Sequence, residues 1–385
     1  MPDESGFIKN LAHRAEQFQS AIRYFKEHTD EKKISRKEEL GLFNSYIKLD
    51  DGTILALSSS PLGGTLLGEG TFGRGKLAMD VEGNFYAVKI ETTNTEIQRQ
   101  ETSTLENLGL LAHPKTSIQR TESSEKHYTT LVYLGKNLSD NLYAVEPKYL
   151  PSLARKIAWA LHKLHSGFLS QDGTGYAHLD LRPGNIVIDH ENRIYLIDFG
   201  TAHPLNGPIY SECFTTSLYA PATYAEQQCT ETDYEAIIGP RLLELGPKNI
   251  DYFALKRTLY LPTPEGSKDP SDYGYCLFSK IDFTALPQTL KDMINTTHLD
   301  KAISRKDEDT AIKMAITFLA LECDLDIDTL EALSTDEQEE ICDIANKYSV
   351  PVSEDDDGAM HQNHADMKAE IQSVLDEKSH RLKKY

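Results

Sequence analysis

Residues 178–188 read His-Leu-Asp-Leu-Arg-Pro-Gly-Asn-Ile-Val-Ile, and residues 197–200 read Ile-Asp-Phe-Gly. Polar side chains set against apolar strands are costly unless they have work to do. The runs 186–188 and 194–197 flank His190-Glu191-Asn192, a pattern that predicts a β-hairpin. Such a hairpin brings Asn185 and Asp198 together at its open end. An amide oxygen and a carboxylate suit a hard cation whose remaining ligands are phosphate oxygens, the preference of Mg²⁺. Asp180 is left to accept the proton of an incoming hydroxyl. Arg182, two positions on, is a cation able to neutralise charge on a phosphoryl group. A hairpin with incidental polar residues is the bland alternative, and the combined spacing argues against it.

A second cluster lies upstream in Leu67-Gly68-Glu69-Gly70-Thr71-Phe72-Gly73. Gly68, Gly70 and Gly73 leave backbone N–H groups free to approach phosphate oxygens, with Thr71 and Phe72 at the tip. A glycine string alone could be a plain hairpin or a dinucleotide loop. The dinucleotide loop requires a helix next, whereas more strand-like sequence comes here. That sequence ends in Ala87-Val88-Lys89. Lys89 is either a snorkelling surface residue or the cation for α- and β-phosphates. In the second role it needs a carboxylate to orient it. Glu101 is the choice, with Leu105 and Leu108 at i+4 and i+7 on the same helix. Glu96 and Glu106 are alternatives, and any of these could be a solvent-facing helical charge.

The elements that must position these groups emerge from periodicity. Ile8, Leu11, Ala12, Ala15, Phe18, Ile22 and Phe25 recur at helical spacing over 5–28 and predict a helix that packs on the next domain. Asp51-Gly52 between Tyr46–Leu49 and Ile54–Leu57 predicts a hairpin. Strand-like texture continues over 64–91, a helix is expected over 94–111 and a strand over 128–135. Helices are expected over 151–166, 250–262, 287–295, 307–323 and 335–348. Ser353–Gly358 reads as a solvated linker, and 359–385 as a polar helix or tail. The expected class is α+β: a β-rich first lobe and an α-helical second lobe, with a ligand cleft between them. The predicted boundaries are 1–44, an N-terminal helical extension; 45–135; 136–300; and 301–385, a C-terminal helical extension with an acidic tail.

Of the 385 residues 39% are hydrophobic and 26% charged, which suits a globular chain. A net charge of −20 argues against a nucleic-acid partner, which needs a Lys/Arg excess. The five cysteines are scattered with no CxxC pair, which argues against a zinc site or a disulfide framework and for a reducing compartment. No secretory signal or transmembrane segment is read, so the expected location is cytoplasmic.

Together these motifs resemble the protein kinase superfamily over about residues 60–290. The glycine string is similar to the lid over the nucleotide, Lys89 to the phosphate lysine, 178–185 to the catalytic loop and 198–200 to the metal-binding motif. Leu131–Leu138 resembles a hinge of the casein-kinase-like kind, with Tyr133, Leu134 and Gly135 beside the adenine. Thr216–Pro221 resembles the end of an activation segment. Asn249–Leu255 resembles the buried helix whose aspartate, here Asp251, braces the catalytic loop; His178 is the other structural residue. The resemblance implies a bilobal ATP-dependent Ser/Thr protein kinase using Mg²⁺, with Mn²⁺ as an alternative, and a protein substrate. Four features depart from the pattern. Leu179 replaces the arginine that pairs with an activation-loop phosphate, Arg182 replaces a lysine, Ala222 replaces a glutamate, and Gly167–Tyr176 is inserted. The same strings resemble small-molecule phosphotransferases of the aminoglycoside and choline kinase group, and a pseudokinase scaffold is the third reading. In style the chain is similar to effector kinases that intracellular bacteria such as Legionella deliver into the host cytosol, which implies a host protein as substrate.

Overall fold

The computed structural model of the chain describes residues 14–35, 42, 44–58, 66–70, 73–92, 95–121, 124–138, 149–189, 191–207, 213–216, 235–238, 246–259, 288, 310–348 and 357–382. It divides into two compact units, Met1–Tyr133 and Leu134–Tyr385.

The first unit runs α1 (Arg14–Glu27), β1 (Lys33–Ile34), β2 (Ser45–Lys48), β3 (Ile54–Leu57), β4 (Leu66–Gly70), β5 (Gly73–Met79), β6 (Phe85–Glu91), α2 (Glu96–Asn107), β7 (Leu111–Thr121) and β8 (Ser124–Val132). The strands form one antiparallel sheet in the order β1-β2-β3-β5-β6-β8-β7, with β4 added on β5. The 45–57 hairpin forms as expected, with Tyr46 opposite Ala56 and Ile47 opposite Leu55. Alternation then splits the strand residues between two cores. Tyr46, Ala56, Leu77 and Met79 join Phe18, Ala21 and Phe25 of α1. Ile47, Leu55, Ala78, Val88 and Tyr128 form the second core. The buried stripe of α1 is rotated from the predicted one: Ala15 is exposed and Ile22 only half-buried, whereas Gln17 is buried. The cause is polar, because the Tyr46 hydroxyl donates to Gln17 Oε1 at 3.2 Å and draws that side of the helix inward.

The second unit begins with β9 (Lys136–Asn137) and α3 (Leu150–Ser166). It continues through β10 (Tyr176–Ala177), β11 (Ile186–Ile188), β12 (Ile194–Leu196), β13 (His203–Pro204), β14 (Cys213–Thr216) and β15 (Glu235–Ile238). Among the described residues the helices that follow are α4 (Pro247–Leu259), α5 (Thr310–Cys323), α6 (Ile327–Glu331), α7 (Thr335–Asn346) and α8 (Asp357–Leu382). α3 buries Leu153, Ala154, Ile157, Ala158, Leu161 and Leu164. It stops at Gly167, where φ is +79° and a Cβ would run into the Gly173 carbonyl. α5 is mostly apolar, with Ile312, Met314, Ile316, Phe318 and Leu319 fully buried and Lys313 exposed. It packs on α3 and α7. α7 is bounded by a capping box, Ser334 with Glu337, which gives it a sharp start. The helix expected over 287–295 lies outside the described residues apart from Gln288, which is helical.

Candidate active site

In the first unit β6 carries Lys89 between Gly75 of β5 and Thr129 of β8. Its Nζ donates to Glu101 Oε1 at 2.6 Å and Oε2 at 2.8 Å. Glu101 is buried on α2, whereas Glu96 is exposed and pairs with Arg99, and Glu106 is exposed. α2 is held at its start by Thr95, whose side chain forms a capping box with Gln98. So of the three carboxylates considered, the helix presents Glu101 to the lysine. Gly70 pairs with Gly73 at the end of the β4–β5 hairpin, with Gly68 opposite Gly75. Thr71 and Phe72, between Gly70 and Gly73 in sequence, lie outside the described residues. Ala87 is half-buried opposite Leu77 and Leu131. Tyr133 closes this unit with its ring 6.4 Å from that of Phe85.

In the second unit Leu134 and Gly135 lead into β9, which pairs with β11. Gly135 has φ +113°, and a Cβ there would run into the Ile188 carbonyl, so only glycine allows this approach. The predicted hairpin forms as β11 and β12, with Ile186 opposite Leu196 and Ile188 opposite Ile194. Its open end is tied by Ile197 N–H donating to the Asn185 carbonyl at 2.9 Å, and Asp198 is the residue that follows this tie. Asn185 Nδ2 donates at 2.8 Å to both the main-chain carbonyl and Oδ2 of Asp180. That orients the amide so that its oxygen side remains as a neutral donor to a cation. Arg182 Nε donates to the same Asp180 Oδ2 at 3.2 Å. Asp180, Arg182 and Asn185 are therefore one hydrogen-bonded group, tied to Ile197 through the Asn185 carbonyl.

This loop is strained and braced. Leu179 has φ +64° and Asp198 φ +63°, both in the left-handed region that costs non-glycine residues of order 1–3 kcal/mol. Asp251 on α4 holds the loop in place. Its Oδ2 accepts from His178 N–H at 2.7 Å, and its Oδ1 accepts from Leu179 N–H at 2.7 Å. His165 Nε2 donates to Asp251 Oδ2 at 2.8 Å. Burial lowers the His165 pKa, and its Nδ1 has no hydrogen-bond partner, so the ring is neutral. His178 Nε2 faces the Ile197 carbonyl at 2.9 Å, and its Nδ1 faces Asp180 N–H at 3.3 Å. A carbonyl only accepts and an N–H only donates, so this ring is the Nε2–H tautomer. His178 thereby ties the residue before Asp198 to Asp180. Leu179, where the family pattern has arginine, is 1% exposed and offers no cation at that position.

The oxygen set of Asn185 and Asp198 fits a divalent cation whose coordination is completed by phosphates. Among the described residues no group of three or more His, Cys, Asp or Glu could hold a metal by itself. The end of the predicted activation segment, Ser217–Pro221, and Ala222 lie outside the described residues; Thr216 lies on β14, opposite Glu235. Sequence reading missed His165 as the third support of Asp251. It also missed Glu91, although its place two residues after Lys89 puts it on the same strand face.

A strand-borne lysine paired to a helical glutamate, with a loop aspartate bonded to the asparagine five residues on, fits an α+β kinase-like fold. Residues 63–235 match the protein kinase domain. The chain carries a domain of the protein kinase superfamily. It is 31% identical over 173 residues to a cAMP-dependent protein kinase catalytic subunit-like protein of Caenorhabditis briggsae, covering 41% of this chain and 42% of the relative. It is 30% identical over 169 residues to CBL-interacting serine/threonine-protein kinase 8 of Arabidopsis thaliana, covering 41% and 37%. A 28% match over 216 residues to the serine/threonine-protein kinase stk11 homolog of Dictyostelium discoideum covers 52% and 34%. The matches thus span about two fifths or less of these relatives' length. Among the described residues no helix is long and apolar enough to cross a membrane.

Proposed function

We propose that the chain is an ATP-dependent protein kinase that transfers the γ-phosphoryl group to Ser or Thr hydroxyls of a protein. The observation that carries this reading is the Asp180–Asn185 bond, which joins a candidate proton acceptor to a candidate cation ligand in one unit. Lys89, oriented by Glu101, would hold the α- and β-phosphates, and Asn185 and Asp198 would hold Mg²⁺ or Mn²⁺. The bound cation would neutralise the phosphate oxygens. Asp180 takes the proton as the substrate hydroxyl forms its bond to the γ-phosphorus and the bond to the β-phosphate oxygen breaks, releasing ADP. Arg182 lies beside that carboxylate, where its guanidinium can stabilise the transferring group. Gly68, Gly70, Thr71, Phe72 and Gly73 would cover the phosphates, with Ala87, Tyr133, Leu134 and Gly135 around the adenine. Two of the relatives carry serine/threonine in their names, which supports that acceptor class. The reading of a delivered effector with a host substrate rests on sequence style alone.

The test is incubation of the purified chain with labelled ATP and Mg²⁺, alone and with a generic protein such as myelin basic protein. Label in protein that disappears in Asp198→Ala is the expected result. ATP consumed only with a small hydroxyl acceptor would move the assignment to the small-molecule phosphotransferases. No turnover with any metal, and no change on Asp198→Ala, would make the domain a scaffold.

The buried Leu179 carries a second expectation. With no arginine there to receive an activation-segment phosphate, turnover should not depend on one. Protein treated with a phosphatase, and a variant with Thr215, Thr216 and Ser217 changed to Ala, should retain activity. Loss of most activity on dephosphorylation would overturn this.

A further inference from the structure

Strand geometry places Lys89 and Glu91 on one face of β6. The Glu91 side chain is 1% exposed. Its Oε1 lies 3.8 Å from Lys89 Nζ, inside ion-pair range but too far for a hydrogen bond, and makes none elsewhere. Its Oε2 lies 3.4 Å from Nζ of Lys115 on β7. Lys115 Nζ in turn donates at 3.4 Å to Thr102 Oγ1 on α2, the residue after Glu101. The four charges therefore alternate, Glu101, Lys89, Glu91, Lys115, in a row that starts on α2 and ends on β7, where Lys115 bonds back to Thr102 of α2. An apolar residue at 91 would cost less for stability alone, because a buried ion pair seldom outperforms well-packed hydrophobic side chains. The half-satisfied Glu91 Oε1 beside Lys89 is what a purely architectural carboxylate would lack.

We infer that Glu91 is a second positioning carboxylate for Lys89. It shares the ammonium with Glu101 and holds it in place whenever Glu101 is removed or turned away, with Lys115 as its anchor. The inference rests on reading Lys89 as the phosphate-binding cation.

The experiment is a double-substitution cycle on the full chain, read by the Kd of a fluorescent ATP analogue and by the ATP KM. Glu101→Gln and Glu91→Gln should each weaken binding by about tenfold or less, because one carboxylate remains. Together they should weaken it well beyond the product of the two, by about a thousandfold. Glu91→Asp keeps the charge and should recover most of the binding lost in Glu91→Gln. Because Glu91→Gln strands the Lys115 charge, Glu91→Gln/Lys115→Met repeats the cycle without an unpaired cation. Effects that simply multiply, or a Glu91→Gln change confined to the melting temperature with KM unmoved in both backgrounds, would sink the inference. Lys89→Met separates it from the reading beneath it. If that variant binds nucleotide normally, the role of Lys89 is wrong. If it abolishes binding while Glu91 changes nothing, only the role of Glu91 is wrong.

Discussion

Asp180→Ala is expected to lower phosphoryl transfer by roughly two to four orders of magnitude, the usual worth of a positioned acid–base group. The loss should fall on kcat. Nucleotide binding should hold, because Lys89 keeps its own 2.6 Å bond to Glu101. The loop should also keep its shape. Asn185 Nδ2 retains the Asp180 main-chain carbonyl at 2.8 Å, and the Asp251 bonds to His178 and Leu179 do not involve the deleted side chain. Asp180→Asn is the sharper variant, since it keeps an oxygen for Asn185 and Arg182 to donate to and cannot take up the proton. Initial rates on a generic protein substrate, with melting temperature as the control for folding, make the comparison. Near-normal turnover in Asp180→Asn would refute the assignment of the base. A loss matched by a large fall in melting temperature would mean that Asp180 acts through the loop's stability.

The local parts of this arrangement were legible in the sequence because they are set by short-range pattern. Hydrophobic runs of three or four around a polar turn give the 186–197 hairpin, so the neighbourhood of Asn185 and Asp198 could be read from residue order alone. Helical spacing singled out Glu101, and α2 presents that residue to Lys89. β7 drew no expectation, because Pro114 and the alternating polar residues His113, Lys115 and Ser117 mark an edge strand that lacks an apolar run. Glu91 was missed for a related reason. A charge inside a strand reads as a surface residue until the neighbour that neutralises it, Lys115 on another strand, is known. The same limit hid the role of the last helices. Apolar content predicts a helix over 307–323, but not which helix covers it. Arg155 and Glu322 lie 167 residues apart, and nothing local to either predicts their meeting.

That meeting carries the second large expectation. Arg155 on α3 is fully buried and donates from Nε to Glu322 Oε2 on α5 at 2.6 Å and from its Nη1 to Asn346 Oδ1 on α7 at 2.9 Å. Glu322 Oε1 also lies 3.3 Å from His364 Nε2 on α8. The ion pair and the contacts its two side chains make thus fasten three C-terminal helices, beyond the family-matched residues 63–235, to α3. Glu322→Gln leaves the guanidinium buried without its counter-ion and should cost about 3–5 kcal/mol, a large share of the roughly 5–15 typical of a folded domain. Trp159 is the only tryptophan in the chain and lies buried on α3, so its fluorescence in a urea titration reports this unit. The pH dependence gives a second reading. Burial opposes ionisation of Glu322, but Arg155 and His364 outweigh it and hold its pKa down to about 2, against 4.5 for the free group. A depressed carboxylate pKa contributes stability that is complete above about pH 4.5 and is lost as pH falls toward about 2. The gap between wild type and Glu322→Gln should therefore be constant near neutral pH and narrow through that acid window. Arg155→Met/Glu322→Met removes both charges and should cost less than either single change, since no charge is then stranded. A Glu322→Gln midpoint indistinguishable from wild type at neutral pH would show that the helices are held by apolar packing of α5 on α3 alone, and that the buried pair is incidental to it.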